Sequence, residues 1–250
     1  TSLGTSVFAN CSSLVRATVE APITSIPNTT FQNCTSLVRF NSEEDGVFDL
    51  TGYTSVGNSA FIGSAVQSVN FDAAFESAGQ MAFQNCSRLR LLNFGENTAE
   101  SVFFGSQCFQ SCTSLQAVAL PANTTALGNY AFADCVELED IDLGASLGEI
   151  PGNCFADCTS LVEITVPDSV TATGNGSFSG CTSLTSIHFG ENTGIETLRG
   201  ITGCTSLTSF TIPSTVTSVS GCTANYYLIE IINESAVSLT AGGSDNGGIA

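Results

Sequence analysis

The chain repeats one pattern of apolar positions at a nearly fixed interval. A cysteine is followed three residues later by a leucine, a phenylalanine precedes most of these cysteines by three residues, and an apolar-polar-apolar triplet such as Ile164-Thr165-Val166 follows the leucine. From Cys112 to Cys204 each step is 23 residues long. The Cys/Leu pairs are Cys11/Leu14, Cys34/Leu37, Cys86/Leu89, Cys112/Leu115, Cys135/Leu138, Cys158/Leu161, Cys181/Leu184 and Cys204/Leu207.

This interval predicts coils that each contribute one strand to a parallel sheet. The alternation after the leucine has the period of a strand, and a proline such as Pro167, or the run Gly-Glu-Asn-Thr, follows and reverses the chain. One coil cannot bury its own apolar side, so neighbouring coils must stack about 4.8 Å apart. The pattern therefore predicts a right-handed solenoid with a parallel β-sheet on one face and turns, short strands or short helical turns on the other.

The repeated residues also resemble a known family. The motif Cys-Thr-Ser-Leu-x-x-Ile-x-Ile-Pro, followed by Val-Thr and Ala-Phe-x-x-Cys, resembles the BspA-like class of leucine-rich repeats over about residues 3 to 225. The resemblance implies a leucine-rich repeat solenoid of the kind found in surface proteins of bacteria and protists, where it is associated with adhesion. It implies a non-catalytic binding module, extracellular or at the cell surface. The alternative is a scaffold subunit packed into a larger intracellular or organelle assembly.

The pattern also sets the expected domain limits. The solenoid is expected over residues 1–225, with about nine to ten repeats of ~23 residues and irregular units over 38–111, where Phe61 begins a unit without cysteine. Residues 226–241 are expected to cap the last coil and residues 242–250 to form a flexible tail. The N-terminal edge is expected to continue into further repeats or to be covered by another chain, because an uncapped coil exposes apolar side chains.

The eleven cysteines follow the repeat. In this register the eight that begin each Cys-x-x-Leu point inward, which predicts a column of buried thiols. We expect most or all of them to be reduced, because bridging successive parallel coils would distort disulfide geometry. Cys108 and Cys154 each precede a repeat cysteine by four residues. They lie two coils apart, roughly 10 Å, so they cannot share one zinc ion. No metal or other cofactor is expected.

The charge balance excludes several partners. The net charge is −18, and the five cations are all arginines. Such a surface repels nucleic acid and anionic lipid, and no apolar stretch reaches the roughly 20 residues of a membrane helix. The expected partner is a protein, with a cationic surface as one possibility, or a cell-surface glycan. The acidic stretch at residues 43–45 is interpreted as a solvated insertion.

The outward positions of the predicted strands are the candidate binding residues, and their chemistry changes along the array. Early coils are basic, middle coils acidic and late coils rich in hydroxyl groups. The candidates are Arg16, Arg39 and Arg90, then Glu139, Asp140, Asp142 and Glu163, then His188.

The acidic positions form the central hypothesis. Carboxylates on neighbouring strands raise the local negative potential and favour a cationic protein surface or a hard divalent ion. We expect Asp140, Asp142 and Glu163 to form the centre of a docking surface, and they are also weak calcium candidates.

Catalysis is not expected. His188 is the sole imidazole, lysine is absent, and a shallow solenoid face offers no enclosed cleft for a pair of carboxylates.

Two further sets of residues carry expectations. Among the Asn-x-Ser/Thr sequons, Asn28 and Asn123 lie beside predicted turns and are the glycosylation candidates. Hydroxyl residues such as Thr159 and Thr182 follow the cysteines, and we expect them to form local hydrogen bonds in the turn that enters each strand.

Overall fold

The computed structural model describes residues 3–221 and 230–238. Within them the regular structure consists of short β-strands without any helix, wound into a parallel solenoid of about nine turns. Strands are numbered along the chain. One side, the first face, comprises β1 (Arg16–Ala17), β3 (Arg39–Phe40), β4 (Val47–Leu50), β6 (Ser68–Phe71), β8 (Leu91–Asn93), β10 (Ala117–Ala119), β12 (Asp140–Asp142), β14 (Glu163–Val166), β16 (Ser186–Phe189), β18 (Ser209–Ile212) and β20 (Glu230–Asn233).

A second set of strands forms the opposite side, the second face. All pairings are parallel, and equivalent residues of successive regular coils are paired, as in Glu163 with Ser186 on the first face and Glu149 with Ala172 on the second. The predicted solenoid is confirmed, and its other side consists of short strands. The second face comprises β2 (Ser25–Ile26), β5 (Ser55–Val56), β7 (Ser77–Ala78), β9 (Val102–Phe104), β11 (Thr124–Leu127), β13 (Glu149–Ile150), β15 (Ala172–Thr173), β17 (Thr197–Arg199) and β19 (Ser218–Ser220).

The core is built around a stack of phenylalanine rings, one from each of eight coils. Neighbouring ring centroids lie 5.2–5.8 Å apart and the planes differ by 2–19°. Each aromatic pair contributes about 0.5–1.5 kcal/mol beyond its buried area. The stacked residues are Phe8, Phe31, Phe61, Phe83, Phe109, Phe132, Phe155 and Phe178.

A third hydrogen-bonded flank consists, in each coil, of the residues between the second-face strand and the repeat cysteine, for example residues 128–134 between β11 and Cys135. We call this flank the turn column. In one coil the N–H groups of Tyr130, Phe132 and Asp134 donate to carbonyl oxygens of the next coil at 2.8–3.1 Å. The alternate N–H groups bond within the coil, so the backbone is satisfied without regular structure. Asp134 has a φ of 61°, a conformation that Asn, Asp and Gly tolerate best. This explains the Asn-Cys sequons of the repeat.

At the start of the turn column the backbones of successive coils lie very close together. The residue at this place, directly after the second-face strand, is a glycine in several coils, for example Gly105 and Gly128. We call these residues the glycine row. A Cβ atom on Gly128 would lie 2.2 Å from the Ser106 backbone nitrogen, and one on Gly105 would lie 2.5 Å from the Gln80 nitrogen. No side chain fits at such distances, so glycine is required there by the coil spacing.

Each buried repeat thiol forms a hydrogen bond to the preceding coil. The Sγ–H of Cys158 donates to the carbonyl oxygen of Phe132 at 3.1 Å, and equivalent bonds of 3.0–3.3 Å repeat from Cys34 to Cys204. Ten cysteines are described, none of them is in a disulfide with another described cysteine, and nine are buried. The prediction of a reduced inward column is confirmed for the seven repeat cysteines from Cys34 to Cys204, but it is wrong for Cys11, which is exposed because it belongs to the first coil.

The first coil exposes the edge of the core. Phe8 is 36% exposed, whereas Phe31 is fully buried. Such an edge was expected, and what covers it stays a prediction.

The other end of the described chain adds a strand inside the predicted cap. Within the predicted cap, β20 pairs with β18 and adds one more strand to the first face. Residues 222–229 and 239–250 lie outside the described part, so the rest of the cap and the tail are not assigned.

Cross-coil contacts also correct the expectation for the hydroxyl residues. Thr159 donates to the carbonyl oxygen of Val136, and Thr182 to that of Thr159, each 23 residues earlier. These bonds join neighbouring coils instead of closing a local turn.

We expect Gly128→Ala to lower the free energy of unfolding by about 1–3 kcal/mol or more, as overpacking does, because its Cβ would collide with the adjacent backbone. Gly148→Ala is the matched control, because its Cβ would meet only one oxygen, 4.0 Å away. Urea unfolding curves measure both. Equal stability of the two variants would contradict the proposed role of the glycine row.

We expect a maleimide to modify Cys11 in the folded protein at pH 8 much faster than Cys34, Cys86 or Cys135. Burial keeps the reagent away from these three thiols. It also raises the pKa of Cys86 to about 11 and that of Cys135 to about 12, which slows the reaction further because the thiolate is the reactive form. Mass spectrometry of peptides after a short exposure gives the rates, with urea-unfolded protein as the control. Similar rates in the folded state would be evidence against the thiol column.

Candidate binding surface on the first face

The predicted acidic positions lie together on the outer side of the first face. Asp140 and Asp142 flank the buried Ile141 on β12 and are exposed, as are Glu139 before that strand and Glu163 on β14. We call Glu139, Asp140, Asp142 and Glu163 the acidic patch. Asp142 is oriented by its own turn, since its Oδ1 accepts a hydrogen bond from the Gly144 N–H at 2.9 Å.

His188 lies at the border of the acidic patch. Its Nε2 is 3.6 Å from Oε2 of Glu163 and 3.1 Å from Oγ of Ser186. A protonated His188 can therefore form an ion pair with Glu163. The sequence placed His188 on the outer face, and the structure brings it next to the patch.

The same three side chains do not form a catalytic triad. In a triad the serine and the carboxylate contact opposite nitrogens of the imidazole, whereas Ser186 and Glu163 both approach Nε2 of His188. The side chains of His188 and Glu163 are more than half exposed, so no enclosed site surrounds them. The geometry favours recognition by the exposed polar groups.

The predicted basic end of the surface is neutralised. Arg16 is bonded to Glu43, and Nε of Arg39 donates to Oδ1 of Asp45 at 2.7 Å. The hydrogen bond with Arg39 lowers the pKa of Asp45, and the same bond raises the pKa of Arg39. The acidic insertion is therefore more than a solvated loop, because its carboxylates form ion pairs with Arg16 and Arg39. Arg90 is exposed just before β8.

The repeat architecture and this surface can be compared with known proteins. The family model described as the BspA type leucine rich repeat region matches in six copies, over residues 1–103 and 102–227. The chain belongs to the BspA-type leucine-rich repeat family. A comparison with curated protein sequences found no match.

Solved structures share the fold of this BspA-type protein. The leucine rich repeat protein of T. pallidum is 25% identical, with a TM-score of 0.57, and the match covers 68% of this chain and 78% of that one. A leucine-rich repeat protein of Bacteroides ovatus is 20% identical, with a TM-score of 0.55, and the match covers 92% and 75%. These similarities support the solenoid architecture.

Neither the acidic patch nor the extra cysteines Cys108 and Cys154 form a metal site. Within residues 3–221 and 230–238, no three His, Cys, Asp or Glu side chains are grouped closely enough to hold a metal ion. The suggestion of calcium at Asp140, Asp142 and Glu163 is therefore not supported by the geometry. The described residues also contain no helix long and apolar enough to cross a membrane.

The two sequon asparagines differ in their surroundings. Asn28 is exposed, and its Oδ1 accepts a hydrogen bond from the Asn58 N–H at 2.8 Å. In Asn123, Nδ2 donates to Oδ1 of Asn97 at 3.0 Å and to the Ala99 carbonyl at 2.6 Å. A glycan on Asn123 would have to displace these contacts, so Asn28 is the better acceptor. Glycosylation itself stays a prediction.

Sequence reasoning missed an apolar area beside the acidic patch. Leu91 on β8 is 52% exposed, and Ala117 and Ala119 are exposed on β10. The signal was in the register, because Ala117 and Ala119 stand at the positions of Asp140 and Asp142, and Leu91 follows its repeat leucine by the same two residues as Ala117 does.

We expect the double variant Glu43→Gln with Asp45→Asn to bind a polyanion such as heparin more strongly, because Arg16 and Arg39 lose their carboxylate partners. About one more counterion would be released for each arginine that contacts a sulfate. Elution from a heparin column across a salt gradient measures the effect. The control, Glu76→Gln with Glu149→Gln, makes the same charge change on the second face, and equal elution of both variants would contradict the pairing.

Proposed function

We propose that this BspA-type solenoid is a non-catalytic adhesion module, extracellular or at the cell surface, that binds a protein partner through the outer side of its first face. The observation that carries the proposal is the acidic patch, in which three exposed carboxylates lie on the neighbouring strands β12 and β14 and a fourth lies directly before β12. None of the ion pairs found in the described part of the chain joins these carboxylates to an arginine. Their charge is available to a partner.

The electrostatics favour a cationic protein. With a net charge of −18 and no lysine, the whole molecule attracts cations, and the acidic patch concentrates that attraction at one place. Lysine and arginine side chains of a partner can form charge-assisted hydrogen bonds with exposed carboxylates. A neutral glycan gains less from four negative charges, so a protein with a basic surface is the favoured partner.

One feature favours a role outside the cell, and a second is compatible with it without deciding the compartment. The family resemblance is to surface proteins, and the buried thiols need no disulfides to hold the coils together while remaining protected from oxidants. An intracellular scaffold subunit is the second candidate. In that case a stable neighbouring subunit would cover the first face, and the purified chain would not bind cells.

We expect the triple variant Asp140→Asn, Asp142→Asn and Glu163→Gln to bind a small cationic protein such as cytochrome c more weakly. Exposed ion pairs contribute about 0.2–1 kcal/mol each, so loss of three corresponds to roughly a threefold to hundredfold rise in Kd. Surface plasmon resonance at low ionic strength measures Kd, and protein-coated beads test attachment to cultured cells.

The matched control is the triple variant Glu76→Gln, Glu149→Gln and Glu196→Gln. It removes the same number of charges from exposed positions on the flank of the second face. The proposal requires that only the first-face variant lose both cytochrome c binding and cell attachment. Equal losses in the two variants would mean that net charge alone acts, and unchanged cell attachment would count against adhesion.

A further inference from the structure

An apolar strip adjoins the acidic patch on the first face. Ala117 and Ala119 point outward from β10, and the strand pairing sets them directly beside Asp140 and Asp142 of β12. On the other side of the alanines, β8 presents Leu91. We call Leu91, Ala117 and Ala119 the apolar strip. Exposed apolar side chains that lie together on a soluble protein commonly mark a binding site.

A groove opens at the end of the apolar strip, where β8 and β10 run into their loops. It has a volume of about 740 Å³ and is lined by residues 92–99 and 119–123, a size typical of sites that accept a ligand group. Phe94 and Leu120, almost fully buried, lie among the lining residues. The groove lies between the loop that follows β8 and the next coil, in which Pro121 comes two residues after the end of β10.

The walls of the groove are fixed by asparagine side chains. Nδ2 of Asn97 donates to the Phe75 carbonyl at 2.8 Å, and Nδ2 of Asn123 donates to Oδ1 of Asn97 and to the Ala99 carbonyl. These bonds hold the long loop against two neighbouring coils. A ligand group can therefore enter a preformed site, which lowers the entropy cost of binding.

We propose that the groove and the apolar strip hold an apolar side chain of an extended protein segment, and that a lysine or arginine of the same segment contacts Asp140 or Asp142. This inference rests on the proposed function and names its partner more closely. The pairing fits the spacing: side chains two residues apart in an extended segment are separated by about 6.6 Å, and neighbouring strands of the face by about 4.8 Å. A segment that crosses the strands therefore places its apolar residue over β10, and the long cationic side chain two residues further on reaches Asp140 or Asp142 on β12.

Four synthetic peptides test the pairing. The first is acetyl-Gly-Leu-Gly-Arg-Gly-Arg-amide, and the other three carry serine for leucine, glutamine for both arginines, or both changes. Two-dimensional NMR titration of the full chain gives each Kd and locates the shifted residues. We expect the leucine and arginine peptide to bind roughly tenfold more tightly than its serine counterpart, because a leucine side chain is buried, with shifts at residues 92–99 and 119–123.

Protein variants separate the groove from the acidic patch. Leu91→Ser and Ala119→Gln change exposed side chains and should abolish the preference for leucine while keeping the preference for arginine. Phe103→Ser is the control, because Phe103 is similarly exposed, at 45%, but lies on the second face. Thermal unfolding confirms that each variant is folded.

The outcomes distinguish this inference from the proposed function. Equal binding of the leucine and serine peptides would overturn the inference and leave the acidic patch in place. A leucine preference that survives in both Leu91→Ser and Ala119→Gln would do the same. Equal binding of the arginine and glutamine peptides would contradict the proposed function and with it the pairing of an apolar residue and a cation.

Discussion

Burial of the repeated Phe, Cys and Leu side chains between stacked coils is the constraint on which the interior depends, and each buried thiol adds a hydrogen bond to the coil before it. The carbonyl oxygen of Phe132 accepts the Cys135 N–H of its own coil at 3.3 Å and the Cys158 thiol of the next coil at 3.1 Å. A carbonyl has two lone pairs, and here both are used. Cysteine suits the position because it is small and apolar and still donates a weak hydrogen bond. The phenylalanine is held in turn by the ring stack, so each coil positions the next.

This constraint leaves the outward positions free to vary. Phe, Cys and Leu at fixed places satisfy the interior, so the chain can carry Leu91, Ala117 and Asp140 at equivalent positions of successive coils without disturbing it. Coil length is the other variable, since the coil that follows Cys86 is three residues longer while its cysteine, leucine and strand stay in place. Binding chemistry and fold are therefore specified by different residues, and a surface can change while the solenoid persists.

The periodic part of the molecule could be predicted from the sequence, and the contacts made by irregular segments could not. The first-face strands and the inward thiols follow from spacing alone, because every coil must bury its apolar side chains at the same positions of the repeat. The ion pairs of Arg16 and Arg39 depend on how the loop at residues 43–45 folds back, and periodicity holds no information on that path. Ser186 and Glu163 approach the same nitrogen of His188, and this contact depends on side-chain rotamers. The groove depends on the path of the loop after β8.

The turn column has an electrical consequence. In each coil from Phe8 to Phe178, every second N–H group of this flank donates to the following coil, so the dipoles of these peptide units add along the solenoid axis as they do along a helix. The sense is opposite to that of an α-helix, since the partial negative end faces the N-terminal coil. The turn column therefore carries an axial polarity that is independent of its side chains and is not shared by the two faces, where many N–H groups donate to the preceding coil.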